Sequence, residues 1–135
     1  MSSPSPNDAA PEATFPLQEF LDFTIEKRDG AATAWLDLGE QHLNPYGTCH
    51  GAVPFALMDT AMGAAVASVL DEGSFCATIE MQTRFLRPVA SGRLTAEATI
   101  VHGGRRVVHL EARTLDAEGR LAATATSSFA VISGA

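Results

Sequence analysis

Asp59 is the only ionisable side chain between Gly51 and Leu70, in a run otherwise made of apolar and small residues. A carboxylate in such surroundings is costly unless paired or hydrogen-bonded, and functional sites are where that cost is commonly tolerated. It can take a proton from water as a general base, or attack an electrophilic carbon itself. The plain alternative is a helix carboxylate held by a neighbouring hydroxyl or turned to solvent. Just upstream, Thr48-Cys49-His50-Gly51-Ala52 opens the same run. Backbone N–H groups at a helix start lack intrahelical acceptors, and the positive end of the helix dipole favours developing negative charge, so an oxyanion can be held there. Gly51 permits close approach, although it could equally be a turn residue beside a packed or exposed His50. At ~1.5 Å of rise per residue, Gly51 and Asp59 lie about 12 Å apart along one helix. They cannot serve the same carbonyl from a single chain. Joint action requires the helix start of one chain to meet the carboxylate of another across a two-fold axis, with two equivalent sites per dimer.

The elements that must position these groups follow from periodicity. Residues 52–70 form the one long helical candidate, apolar nearly all round, so it must be covered on most faces. Pro54 is tolerable because it falls in the first turn. Residues 17–21 read as a helical turn, 23–28 as a strand, Asp29-Gly30 as a hairpin turn and 32–38 as the returning strand. Asn44-Pro45-Tyr46-Gly47 marks a loop. Four long strands follow, at 76–87, 94–102, 107–116 and 121–132, and the turns at Gly103-Gly104 and 116–119 suggest that they form an antiparallel meander. The expected architecture is α+β: one long buried helix wrapped by a curved antiparallel sheet of five or six strands, with bulges where strands bend. Residues 1–16 read as a disordered tail and 17–135 as a single domain.

Composition narrows the classes of function. Acidic residues outnumber basic ones 16 to 9, giving a formal net charge of −7, and there is one Trp and one Tyr. A nucleic-acid surface needs a basic face and stacking aromatics, so none is expected. The first residues lack the basic and apolar regions of a signal peptide, and a charged residue at mid-helix argues against a membrane span, so a cytoplasmic location is expected. The two cysteines form no CxxC, and His42, His50, His102 and His109 show no metal-ligand spacing, so no metal is expected. A Cys49–His50 nucleophile pair is disfavoured because adjacent side chains usually point apart.

Taken together, Asn44-Pro45-Tyr46-Gly47-Thr48-Cys49-His50-Gly51-Ala52 and Asp59-Thr60-Ala61 resemble the signature of PaaI-type hotdog-fold thioesterases. Ala52 stands where that family has a second Gly; it still supplies a backbone N–H at the helix start. Thr78-Ile79-Glu80-Met81-Gln82, then Phe85-Leu86-Arg87-Pro88 and Gly92, are similar to the family's third strand and its exit. The resemblance covers residues 17–132. It implies the hotdog fold and hydrolysis of a small aryl or medium-chain acyl-CoA at a dimer interface, the dimers often pairing into homotetramers. Coenzyme A would be part of the substrate, with no separate cofactor. By the same resemblance the Gly51 N–H polarises the thioester carbonyl, Asn44 helps hold that carbonyl or the water, and His50 lies beside it. Asp59 is then general base or nucleophile, and Thr78 helps place the water. A strand Thr that simply fits the pleat is the alternative for Thr78. Glu80 and Gln82 share its face by simple alternation and are expected only as supporting or dimer-contact residues. Arg105, Arg106 and Arg87, with Arg93 as a further candidate, are the cations available for the coenzyme's phosphates.

Two other functions fit the same fold: a hydratase or dehydratase acting on pantetheine-linked substrates, and a non-catalytic acyl-CoA-binding sensor. The helix-start pattern fits the hydratase less well, and a sensor would need an output partner.

Overall fold

The computed structural model describes residues 13–134. Its elements run α1 (Pro16–Leu21), β1 (Thr24–Arg28), β2 (Ala31–Asp37), a short 3-10 turn (Glu40–His42), α2 (Ala52–Ala67), β3 (Phe75–Phe85), β4 (Arg93–Gly103), β5 (Val107–Leu115) and β6 (Leu121–Ile132). All six strands form one antiparallel sheet in the order β1-β2-β4-β5-β6-β3, curved around α2. Most of the tail expected at residues 1–16 lies outside the described residues. Within its last part the Phe15 ring packs edge-on against Phe23, and Pro16 opens α1.

The core lies between α2 and the concave face of the sheet. Val53 and Pro54, Leu57 and Met58, Ala61 and Met62, and Ala65 and Val66 are buried, which is the spacing of one helix face turned to the sheet. The strands answer with small side chains: Ala32, Ala34, Ala96, Ala98, Ala112, Ala122, Ala123 and Ala125 are buried. Side chains on a concave face converge, so Ala there lets the helix approach closely and keeps packing dense.

Two expectations need correction. The last four strands do not form a meander, because β3 pairs with β6 rather than β4. Only β4-β5-β6 are joined by tight turns. The segment between β3 and β4 carries Pro88 and no hairpin turn, and it takes the chain to the other side of the sheet, where β4 pairs with β2. The helix stops at Ala67 rather than 70, with Ser68 as its C-cap. The Ser68 hydroxyl donates to the Ala65 carbonyl (2.7 Å) and accepts from the Gly30 N–H (2.9 Å), tying the helix end to the β1–β2 turn. The cover expected over most faces of α2 leaves one strip open. Ala52, Phe55, Asp59, Gly63 and Ala67 form a stripe that is exposed or half-buried.

The two sheet edges differ. β1 is short and carries Glu26, Lys27 and Arg28, the charged kind of edge that resists pairing. β3 is eleven residues long, and Phe75, Ile79 and Phe85 are exposed along it.

Candidate active site

The loop before α2 is built by Asn44. Its side-chain Oδ1 accepts from the Tyr46 N–H (2.9 Å) and the Thr48 N–H (3.2 Å), while its Nδ2 donates to Thr48 Oγ1 (3.0 Å). Asn44 therefore shapes the loop first, as Asn does in Asx-type turns, and one Nδ2 hydrogen remains for the cleft. Gly47 adopts φ +81°, which lets the turn close.

His50 then organises the helix start. Its Nδ1 accepts from the Ala52 N–H at 2.9 Å, and its carbonyl accepts from the Val53 N–H at 2.9 Å. Pro54 has no N–H, and the Phe55 N–H returns to the Gly51 carbonyl. Of the amides opening α2, only that of Gly51 donates to no acceptor among the described residues. The neutral His50 ring must carry its proton on Nε2. An added Cβ at Gly51 would come within 3.2 Å of the Phe85 ring, so glycine keeps this approach open. Asn44, Thr48, Cys49, Gly51, Pro54, Phe85 and Arg87 line a cleft of about 460 Å³ at this end of the helix.

Two turns along α2, Asp59 accepts a hydrogen bond from the Thr78 hydroxyl through Oδ1 at 2.8 Å. Its Oδ2 has no partner among the described residues. Asp59 and Thr78 border a second cleft of about 390 Å³, floored by Gly63, Ala64 and Ala67 and walled by Phe15, Ile25, Cys76 and Phe129. One chain thus carries the free amide and the free carboxylate oxygen in two different clefts.

A bulge places Thr78. The register of β3 on β6 slips between Thr78 and Glu80: Thr78 lies opposite buried Phe129, whereas Glu80 lies opposite Ser128. Ile79 is the extra residue, and its insertion breaks the two-residue alternation. The expectation that Glu80 and Gln82 share the face of Thr78 is therefore wrong. Gln82 borders the outer face of the sheet with Arg84, Glu97 and Arg113, where Arg113 pairs with Glu97 at 3.0 Å.

The arginines separate as well. Arg87 reaches the cleft of Asn44 and Gly51. Arg105 and Arg106 lie in the β4–β5 turn, next to Val107, which pairs with Ala130 opposite Ala77 at the beginning of β3. Arg87 follows the end of that strand, so the two groups sit at opposite ends of the sheet. Arg93 is held by Asp37 through a two-point contact at 2.9 and 3.2 Å.

The Cys49 thiol is pushed up to about 11 by burial, and the His50 ring is turned to the Ala52 amide, so the pair has neither a thiolate nor its base. Both cysteines are free. Among the described residues no group of His, Cys, Asp and Glu could hold a metal ion, and no helix is long and apolar enough to cross a membrane.

Residues 46–123 match the family model of the thioesterase superfamily. The chain belongs to that superfamily. Its fold is the PaaI-type hotdog, and membership places it among the thioester-hydrolysing enzymes. The PaaI protein of the phenylacetic acid degradation operon of E. coli superposes with a TM-score of 0.80 at 27% identity, over 87% of this chain and 85% of that one. The thioesterase HI1161 of Haemophilus influenzae gives a TM-score of 0.82 at 26% identity, over 87% and 82%. The proofreading thioesterase EntH of Klebsiella pneumoniae is 31% identical over 88 residues, 65% of this chain and 64% of EntH. A curated relative from Haemophilus influenzae is 34% identical over 74 residues, and the match spans about half of that relative's length (54%).

One contributor in this thioesterase was not foreseen from sequence. His42 is buried; its Nδ1 accepts from the Gly39 N–H (2.9 Å), and its Nε2–H donates to the Leu21 carbonyl (2.6 Å). Its own carbonyl accepts from the His50 N–H at 2.8 Å. One imidazole thus ties α1 to the loop that carries the free amide. The signal in the sequence is a His just ahead of the Asn44 loop, and metal-ligand spacing is blind to a His that holds two backbone groups.

Proposed function

We propose that this thioesterase hydrolyses a small aryl or medium-chain acyl-CoA to the free acid and coenzyme A, working as a homodimer with two shared sites. The observation that carries the reading is the split described above: the unpaired Gly51 amide and the unpaired Asp59 Oδ2 occupy different clefts of one chain. A two-fold axis that sets Gly51 of one protomer against Asp59 of its partner joins the two halves. The long apolar edge of β3 and the open stripe of α2 support such a contact, since exposed apolar edges are templates for pairing.

In the joined site the Gly51 N–H polarises the thioester carbonyl, helped by the helix dipole and the remaining Nδ2 hydrogen of Asn44. Asp59, oriented by Thr78, takes a proton from water as that water attacks the carbonyl carbon; alternatively its Oδ2 attacks first and water then cleaves the resulting anhydride. The C–S bond breaks, and the coenzyme A thiolate takes up the proton. His50, with Nε2–H outward, lies beside the departing sulfur. Arg87, which lines the cleft of Asn44 and Gly51, would meet a phosphate of coenzyme A, with Arg105 and Arg106 as the alternatives at the far end of the sheet. The mixed-charge outer face around Glu97 and Arg113 is where dimers would pair into a tetramer.

The test is thiol release from a panel of acyl-CoAs by wild type and Asp59→Ala, with oligomeric state measured alongside. Turnover by the wild type and a loss of about two orders of magnitude or more in an intact Asp59→Ala oligomer support the reading. Tight acyl-CoA binding without thiol release by either protein would replace it with the acyl-CoA sensor.

A further inference from the structure

None of the six residues of α1 is buried, and Leu17, Phe20 and the preceding Phe15 remain exposed, so the segment gains little from apolar burial. It is nevertheless firmly placed. Gln18 Nε2 donates to the Phe23 carbonyl (3.0 Å), the Phe23 N–H donates to the Gln18 carbonyl (3.2 Å), and His42 holds the Leu21 carbonyl. The effect is to fix the Phe15 ring, edge-on to Phe23 with centroids 6.0 Å apart, as a wall of the cleft that contains Asp59 and Thr78. Across that cleft, beyond Asp59 and Thr60, α2 presents the small residues Gly63, Ala64 and Ala67. Its walls are thus small along this part of the helix and mainly aromatic and aliphatic opposite, and its polar groups are the Asp59–Thr78 pair, Thr60 and Lys27. A cleft of about 390 Å³ is at the lower end of the range for small-ligand sites.

We propose that the acyl group of the substrate lies in this cleft, and that Phe15 is the residue that limits its size. The inference rests on the acyl-CoA thioesterase reading for the identity of the occupant, and it concerns the walls of the cleft beyond the Asp59–Thr78 pair rather than the pair itself. An apolar acyl group seated against Phe15 would shield a ring that the free protein leaves exposed. Each methylene that finds room there adds roughly a fourfold gain in affinity.

The test uses two probe series from four to twelve carbons, S-alkyl-CoA thioethers for binding and acyl-CoAs for turnover. Wild type, Phe15→Ala and Ala67→Phe are compared. Phe15→Ala widens the cleft from the α1 side, and Ala67→Phe narrows it from the helix side. The expected result is a shift of the preferred length upward in the first variant and downward in the second, in thioether binding and in kcat/KM alike. Loosening of α1 alone cannot give shifts of opposite sign. An unchanged length profile in both variants overturns the proposal, whether or not thiol is released. Opposite shifts in thioether binding with no thiol release by wild type would uphold the cleft assignment and refute hydrolysis.

Discussion

Replacing Thr78 by Val exchanges a hydroxyl for a methyl at nearly constant shape, on a strand where a β-branched residue is already favoured. The fold should be indifferent to it. What disappears is the 2.8 Å donor to Asp59 Oδ1. A hydrogen bond to a charged group is worth about 1.5–3 kcal/mol, and because Asp59 is only half-buried the lower end applies, about 1.5–2 kcal/mol. At about 1.4 kcal/mol per factor of ten, kcat/KM should fall roughly 10- to 30-fold. If Thr78 acts by orienting the Asp59 carboxylate, as proposed, the loss should sit in kcat rather than KM. Thr78→Ser, which keeps the donor, should recover most of it. A double-mutant cycle decides the matter: in an Asp59→Asn background Thr78→Val should add little, because a residue that acts through Asp59 has nothing left to orient. An equal loss in both backgrounds, or less than a twofold loss in the single variant, would refute a positioning role.

Other outcomes are expected. His42→Leu strands the Leu21 carbonyl and the Gly39 N–H, and should cost roughly 2–4 kcal/mol in urea denaturation; a change below about 1 kcal/mol would mean the clamp does not bear on stability. Burial pushes the Asp116 carboxyl up, but the Arg120 amide and guanidinium and the Glu118 amide outweigh it and hold the group below the usual carboxylate value. Its folded value lies below its unfolded one, so its contribution is present above about pH 4 and fades as pH falls through the folded value. The stability gap between wild type and Asp116→Asn should therefore be flat near neutrality and shrink under acid in pH-resolved denaturation, and a gap that grows under acid contradicts the sign. Phe55→Glu, on the open face of α2, should yield monomers by light scattering and abolish thiol release together. Active monomers would show that one chain suffices.

The helix and its carboxylate stand out in the sequence, because Asp59 is the one charge among the nineteen residues 52–70, although a carboxylate merely held by a neighbouring hydroxyl would leave the same pattern. Strand positions were legible for the same reason of periodicity, but their pairing was not. Alternation and turn residues describe neighbours in sequence, whereas the crossing of β3 to pair with β6 depends on how the sheet curves around α2. The bulge at Ile79 was expected in kind and missed in place. Nothing in Thr78-Ile79-Glu80 announces an extra residue, yet it decides that Thr78 faces Asp59 and Glu80 does not. The roles of Asn44 and His50 at the helix start were similarly half visible. The family resemblance implied contact with a carbonyl, and the structure spends most of their hydrogen bonds on the loop, leaving the Gly51 amide without a partner among the described residues.

That division of labour constrains the proposed dimer. Gly51 and Asp59 ride on one rigid helix, so their separation of about 12 Å along the axis cannot be adjusted by loop motion. If Gly51 of each protomer meets Asp59 of the other, the two helices run antiparallel, and the residue midway between the half-sites lies at the two-fold axis. That residue is Phe55, four positions from each and hence on the same side of the helix. It is 42% exposed in the single chain, apolar surface that a second copy would cover. The ring would then meet its own symmetry mate, and its packing would set the distance between the helices and so the gap between amide and carboxylate. Small residues elsewhere on the stripe, Ala52, Gly63 and Ala67, leave the flanking space open for substrate. On this geometry the contact that holds the dimer together and the spacing that makes each site competent are the same feature, so neither can be altered without the other.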